Sequence, residues 1–350
     1  MKNKLVVLFL LVVIVAAVIF YFLTQYIPLK RLGENDEDSA VIKPPDIEIK
    51  KYKGIWMPFL REVRIALGDL DNLKLDGINI VAIGIKICKD EENNTFYVGE
   101  DENEIKNSIN EFHKNGFKTF LILNPANPDS KINPNSPEGK GKILLDKLTP
   151  LVLNWSVIAE KYGVEMFCPV NEPQILAYKN DNAVSDWAQE ILPRIREKYK
   201  GKIVFEVQGA KDHLYNLTGY DYLADGGLTC TKDIADHPEW IKEMINEEFL
   251  ALKSNYPGFK YLFFNAGAFT GPDYYWWEPI APENMKNNSN GWPDDFFTVS
   301  PKSQAEFYDM FFNITWKGVD GYFLPVYKGW EYRGKPAEEV IRDWFNRDVK

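Results

Sequence analysis

The chain has 350 residues, 45% of them hydrophobic, enough to bury a large core and fill one domain of about 250–300 residues. Its 51 acidic residues outnumber the 41 basic ones, for a formal net charge of -10, which argues against a nucleic-acid partner because phosphate binding wants clustered Lys and Arg. Aromatic residues reach 14%, with 10 Trp and 18 Tyr, most of them expected in the core.

The chain opens on an apolar run, Leu5 to Leu23, long enough as a helix to cross a hydrocarbon layer of ~30 Å. Lys2 and Lys4 precede it as the charged region of an export signal would, and no small-x-small cleavage site follows. Residues 1–27 therefore read as an uncleaved signal-anchor, a single transmembrane helix that makes the membrane a partner. Lys30 and Arg31 nearly balance the charge in front, so orientation is not fixed by charge alone. The expectation is a single-pass protein with its C-terminal domain extracellular. Residues 28–50 are acidic and proline-punctuated, the composition of a linker. Residues 51–350 are then the folded domain.

Within it, apolar strand-like runs alternate with helical patterns. The strands are predicted at 53–59, 77–87, 117–125, 164–170, 202–207, 220–224, 259–265 and 319–327. Helices are predicted over 102–116, 143–162, 184–200, about 238–254 and 337–345. Eight strands in βα alternation imply an α/β fold, a closed (β/α)₈ TIM barrel. A doubly wound open sheet is the alternative, but it expects a Gly-rich first turn of the G-x-G-x-x-G kind, and none is present. Long insertions follow the third and seventh strands, on the face where barrel active sites lie. The second of them carries Tyr274, Tyr275, Trp276 and Trp277 in succession, too many for one buried face, and reads as an aromatic rim.

Three cysteines, Cys88, Cys168 and Cys230, allow at most one disulfide. With no C-x-x-C and only three scattered histidines, a zinc or di-iron centre is disfavoured, and neither metal nor organic cofactor is required.

The fourth strand ends abruptly: VEMFCPV gives way to Asn171-Glu172-Pro173. A strand ending in Asn-Glu-Pro resembles the acid/base motif of clan A glycoside hydrolases, retaining (β/α)₈ enzymes. The final stretch GKPAEEVIRDWF resembles their closing helix. The resemblance covers residues 50 to 348. It implies that Glu172 protonates a departing glycosidic oxygen and that Asn171 hydrogen-bonds the sugar 2-hydroxyl. Acetal cleavage needs such a donor poised near pKa 6, plus a second carboxylate.

In the clan that second carboxylate is a Glu ending the seventh strand, where this chain has Asn265 in FFNAGAF. An amide cannot replace it as nucleophile. Glu206 on the fifth strand, expected to face the barrel mouth, and Glu278 on the long loop are the two replacements considered. Asp221 and Asp225 are further options. Trp56 and Asn124, ending strands one and three, and Tyr327 and Trp330, following strand eight, are candidate substrate contacts. The expectation is a membrane-anchored hydrolase of β-linked polysaccharide or glycan. Its rival is a non-catalytic glycan-binding protein with a degenerate site.

Overall fold

The computed structural model describes residues 41–42, 48–90, 92, 95–125, 142–177, 180–268, 270, 299–326 and 332–347. The expected signal-anchor and most of the linker lie outside them. Among the described residues no helix is long and apolar enough to cross a membrane.

Eight strands form the core: β1 Tyr52–Met57, β2 Ile80–Asp90, β3 Lys118–Pro125, β4 Met166–Cys168, β5 Lys202–Gln208, β6 Tyr222–Gly226, β7 Lys260–Phe264 and β8 Gly321–Pro325. Each pairs in parallel with the next. β8 pairs in turn with β1, Phe323 opposite Gly54, and closes the ring. Closure removes both sheet edges, so the expected barrel holds and the open sheet does not. A short antiparallel strand, Thr95–Val98, extends the upper part of β2.

Helices cover the outside: α1 Leu60–Leu67, α2 Glu102–Lys114, α3 Ile143–Tyr162, α4 Asp181–Lys198, α5 Pro238–Asn255, α6 Pro301–Thr315 and α7 Pro336–Phe345. Local chemistry sets their ends. Asp101, Asn180 and Ser300 accept backbone amides at the starts of α2, α4 and α6. α3 stops at Gly163, whose φ of 66° suits glycine. α1 and α6 were not anticipated from the sequence.

Strict alternation fails between β5 and β6. No helix lies there; instead Tyr215, Leu217 and Tyr220 are buried over the barrel wall. Phe205 meets Tyr215 and Tyr220 edge-on, at centroid distances of 6.1 and 5.0 Å. Three large side chains thus shield the wall where a helix would otherwise pack.

Two apolar layers result from the period of two along each strand. Ile203, Phe205, Val207 and Leu223 face outward to the helices, while Val204, Tyr222, Ala224, Phe264 and Phe323 fill the interior. The barrel floor is ionic. Glu165 pairs with Lys118, at 2.8 Å, and with Lys202, and accepts from the Tyr52 hydroxyl at 3.0 Å. The three cysteines are free thiols. Residues 41 and 42 already lie against the barrel: the Ile42 amide donates to Asn110 Oδ1 at 3.1 Å, and His113 Nδ1 is 2.7 Å from the Ile42 carbonyl.

Candidate active site

β4 is only three residues long. Pro169 has no amide to donate, yet the chain stays against β3, the Asn171 amide donating to the Leu123 carbonyl at 2.8 Å. It then turns sharply at Glu172, whose φ and ψ of 51° and 56° are left-handed. Pro173 occupies the first position of the turn Pro173–Leu176, where its fixed φ suits the start of a helical turn. A left-handed glutamate costs of order 1–3 kcal/mol and persists where the surroundings impose it, often at functional sites. Among the described residues only one other non-glycine has positive φ: Asn265, at 58°, just past β7. The two lie at the strand ends where the sequence resemblance puts an acid/base and a nucleophile.

Glu206 is 3% exposed and points inward, in step with the interior residues Val204 and Ala224. Its Oε2 accepts the Glu172 amide at 2.7 Å. Room for it comes from Gly226 on β6, where an added Cβ would stand 2.2 Å from Glu206 Oε1. Burial raises both carboxyls. That of Glu172 is pushed up to about 7. Although Glu172 keeps some accessible surface, it lies deep in the mouth, where protein replaces most of the water. Glu206 is raised well above the usual carboxylate range, first by burial and then by the charge of Glu172, with the Glu172 amide opposing. Burial and mutual repulsion thus both favour the pair keeping a proton.

Asn171 and Asn124 also meet. Asn171 Nδ2 donates to Asn124 Oδ1 at 3.3 Å, and Asn124 Nδ2 to the Pro58 carbonyl at 3.4 Å. Asn124 is buried at the end of β3, in step with the inward-facing Phe120 and Ile122, and its amide oxygen steadies Asn171. Trp56 is 3% exposed, its ring 4.7 Å from that of Phe264. It fills the barrel interior beneath the mouth, which corrects the expectation of an open stacking surface.

The two aspartates also fall outside the pair. Asp221 precedes β6, at the floor end, where it pairs with Arg196 and accepts the Ile203 amide at 2.7 Å. Asp225 points out through the wall, between inward-facing Ala224 and Gly226, and accepts the Ala210 amide at 3.3 Å. Glu278, Tyr327, Trp330 and the aromatic run 274–277 lie outside the described residues.

Solved structures similar to this barrel include the GH113 β-mannanase of Alicyclobacillus acidocaldarius, 15% identical with a TM-score of 0.59, the match covering 86% of this chain and 98% of that one. The GH53 catalytic domain of Ignisphaera aggregans is 17% identical with a TM-score of 0.51, over 87% and 99%. A Pseudomonas stutzeri endoglucanase is 11% identical with a TM-score of 0.54, over 87% and 97%. The chain shares the barrel fold of these glycoside hydrolases. At such identities the likeness is one of fold, and chemistry must be argued from the site. No family model and no curated protein matches the chain.

Two glutamines went unnoticed in the sequence. Gln174 and Gln208 sit two residues beyond Glu172 and Glu206, and Gln174 Nε2 donates to Gln208 Oε1 at 2.8 Å. The period of two along β5 placed Gln208 on the side of Glu206, so that half was legible. The position of Gln174 depends on the left-handed turn at Glu172.

Proposed function

We propose that this barrel hydrolyses β-linked glycans at its C-terminal mouth, with Glu172 as general acid/base and Glu206 as the second carboxyl of the pair. The contact between the Glu172 amide and the Glu206 carboxyl carries the reading, because it brings the buried carboxyl of β5 against the residue that ends β4. A carboxyl poised near 7 can both give and take a proton at neutral pH. Glu172 donates its proton to the glycosidic oxygen as the carbon–oxygen bond breaks, and water adds to the anomeric carbon, giving up a proton that returns Glu172 to its acid form. Asn171, steadied by Asn124, is assigned to a sugar hydroxyl.

A second reading has its own observation. Asn265 stands at the end of β7 with no charge to offer, and burial disfavours the ionised form of Glu206. On that reading the mouth binds glycan without cleaving it.

One assay series separates the two. Wild type, Glu172→Gln, Glu206→Gln, Glu278→Gln and Asn265→Glu are tested on β-mannan, β-galactan and β-glucan. An enzyme cleaves one of them, and Glu172→Gln lowers turnover by ~10²–10⁴-fold. Whichever of Glu206→Gln and Glu278→Gln abolishes turnover while preserving binding identifies the second carboxylate. A binding protein cleaves none, and Asn265→Glu is the variant expected to gain weak hydrolysis. Neither binding nor cleavage in any of the five proteins overturns the glycan reading.

The apolar run Leu5–Leu23 supports a single-pass anchor with the barrel outside the cell. Protease added to intact cells should remove the barrel; its full protection there, with cleavage after lysis, would reverse the orientation.

A further inference from the structure

β2 outruns the ring. Its last residue paired with β3 is Ile87, opposite Pro125; from there to Asp90 it pairs only with the antiparallel strand Thr95–Val98. A two-stranded ribbon therefore stands above the rim, and its faces differ. Val81, Ile83, Ile85 and Ile87 belong to the outer apolar layer, and Phe96 and Val98 on the short strand pack against that layer. Ile80 and Ala82 belong to the barrel interior, and the period of two carries Lys86 and Cys88 along the same side. Cys88 stands opposite Tyr97, and directly opposed residues of an antiparallel pair share a face. Gly99 joins them: a Cβ there would stand 2.5 Å from Cys88 Sγ and 3.5 Å from Lys86 Cγ and Cδ.

The inward face is open where the outer one is covered. Tyr97 is 51% exposed, and among the described residues neither its hydroxyl nor Lys86 Nζ has a partner. A lone exposed aromatic means little, but this one continues the mouth. Lys86 stands beside Asn124 in register, Asn124 accepts from Asn171, and Asn171 precedes Glu172. Tyr97, level with Cys88, lies two residues further along the strand than Lys86, roughly 7 Å beyond it. A sugar ring has an apolar face of C–H groups and an edge of hydroxyls. An open phenol ring takes the face, and an ammonium, with three donors and no acceptor, takes the hydroxyl oxygens. Gly99 leaves bare backbone next to both, where a ring can approach closely. A protein partner would want a patch with an apolar centre, and the apolar side chains of this ribbon lie on its covered side.

We propose that the inward face of this ribbon, Tyr97 with Lys86, binds a sugar unit of the glycan that is removed from the bond Glu172 protonates. The surface rests on the glycan reading of the neighbouring mouth. It deepens that reading by naming the substrate class: a chain of several units, because a single sugar held at the carboxyl pair leaves Tyr97 bare.

The test is calorimetry on the full chain carrying Glu172→Gln, so that the probes survive, with disaccharides and hexasaccharides of β-mannan, β-galactan and β-glucan. At least one hexasaccharide is expected to bind more tightly than its disaccharide. Adding Tyr97→Ala or Lys86→Met should weaken that hexasaccharide about tenfold and spare the disaccharide, while Tyr97→Phe, which keeps the ring, should bind as its parent does. Either of the first two without effect overturns the surface. Cys88 reports position, since its thiol is half-buried on this face whereas Cys168 and Cys230 are buried. Bound hexasaccharide should slow alkylation at Cys88, read by mass spectrometry, and an unchanged rate at saturation overturns the surface as well. Its failure is distinct from failure of the hydrolase. Polymer cleavage by wild type that Tyr97→Ala and Lys86→Met leave unchanged, with hexasaccharide binding unmoved, sinks the surface and leaves the hydrolase standing. Protection of Cys88 in a protein whose wild type cleaves no polymer does the reverse. No binding of any of these sugars overturns both.

Discussion

In the proposed reaction Glu172 is the acid, and its burial bears on stability as well. Its folded pKa of about 7 lies above the ~4.3 of an unfolded glutamate, so the native state binds the proton more tightly. Its contribution to stability is therefore fully present below about pH 4.3 and is lost as pH rises through 7. Glu172→Gln removes that penalty, and melting at pH 7 should rise by an amount worth roughly 1–3 kcal/mol, while the variant's advantage vanishes near pH 4. Wild-type activity should fall above pH 7 as the acid loses its proton, and a profile flat to pH 9 would remove Glu172 from that role. Gly226 tests the partner. An alanine there puts a methyl 2.2 Å from Glu206 Oε1, and the displaced carboxyl must release the Glu172 amide. Turnover should drop more than tenfold, at a stability cost of about 1–3 kcal/mol. Unchanged turnover would show that the orientation of Glu206 is immaterial.

The β5–β6 connection is the element that departs most from a regular βα unit. In place of a helix it is held by polar side chains of α4, Asp181 and Ser185 among them, and by a phenol from the end of α5. The Tyr256 hydroxyl accepts the Tyr215 amide at 3.0 Å and donates to the His213 carbonyl at 2.8 Å. Tyr256→Phe leaves both backbone groups unpaired, so a loss of about 1–3 kcal/mol is expected, together with faster hydrogen exchange at the Tyr215 amide. Unaltered exchange there would mean that the packing of Phe205, Tyr215 and Tyr220 holds the segment without it. This connection also lines a cavity beside the end of β6.

The barrel as a whole rests on its floor. Burial drives the Glu165 carboxyl upward, but Lys118 and Lys202 outweigh it and hold the pKa below the ordinary value. A depressed carboxyl contributes stability above its unfolded pKa and loses it as pH falls through the folded one. Wild type should therefore lose stability below about pH 4.3, and Glu165→Gln should lack that part of the decline. At pH 7 the substitution, which strands two partly buried ammonium groups, should cost about 1–3 kcal/mol in chemical denaturation. An equal acid slope in both proteins would place the acid-labile step elsewhere. The floor is far from the mouth, so glycan binding by the folded variant should match wild type.

The succession of apolar runs by itself determined the barrel. Eight strands with buried interiors have few ways to hide both faces, and closing on themselves under helices is one. With the barrel exterior sealed by apolar helices, the one carboxylate in KIVFEVQ had to point into the mouth, and the abrupt polar end of β4 marked Glu172. Other features depended on contacts between segments far apart in the chain. That Trp56 fills the interior follows from Phe264, two strands away around the ring, and that Asn124 serves Asn171 follows from β3 lying against β4. The exclusion of Asp221 and Asp225 needed the direction of each strand and the positions of Arg196 and Ala210. The bond between Glu172 and Glu206 joins residues 34 positions apart and depends on a missing side chain at Gly226. Periodicity along one strand carries the direction of a side chain, whereas its partner on another strand is chosen by register and free space.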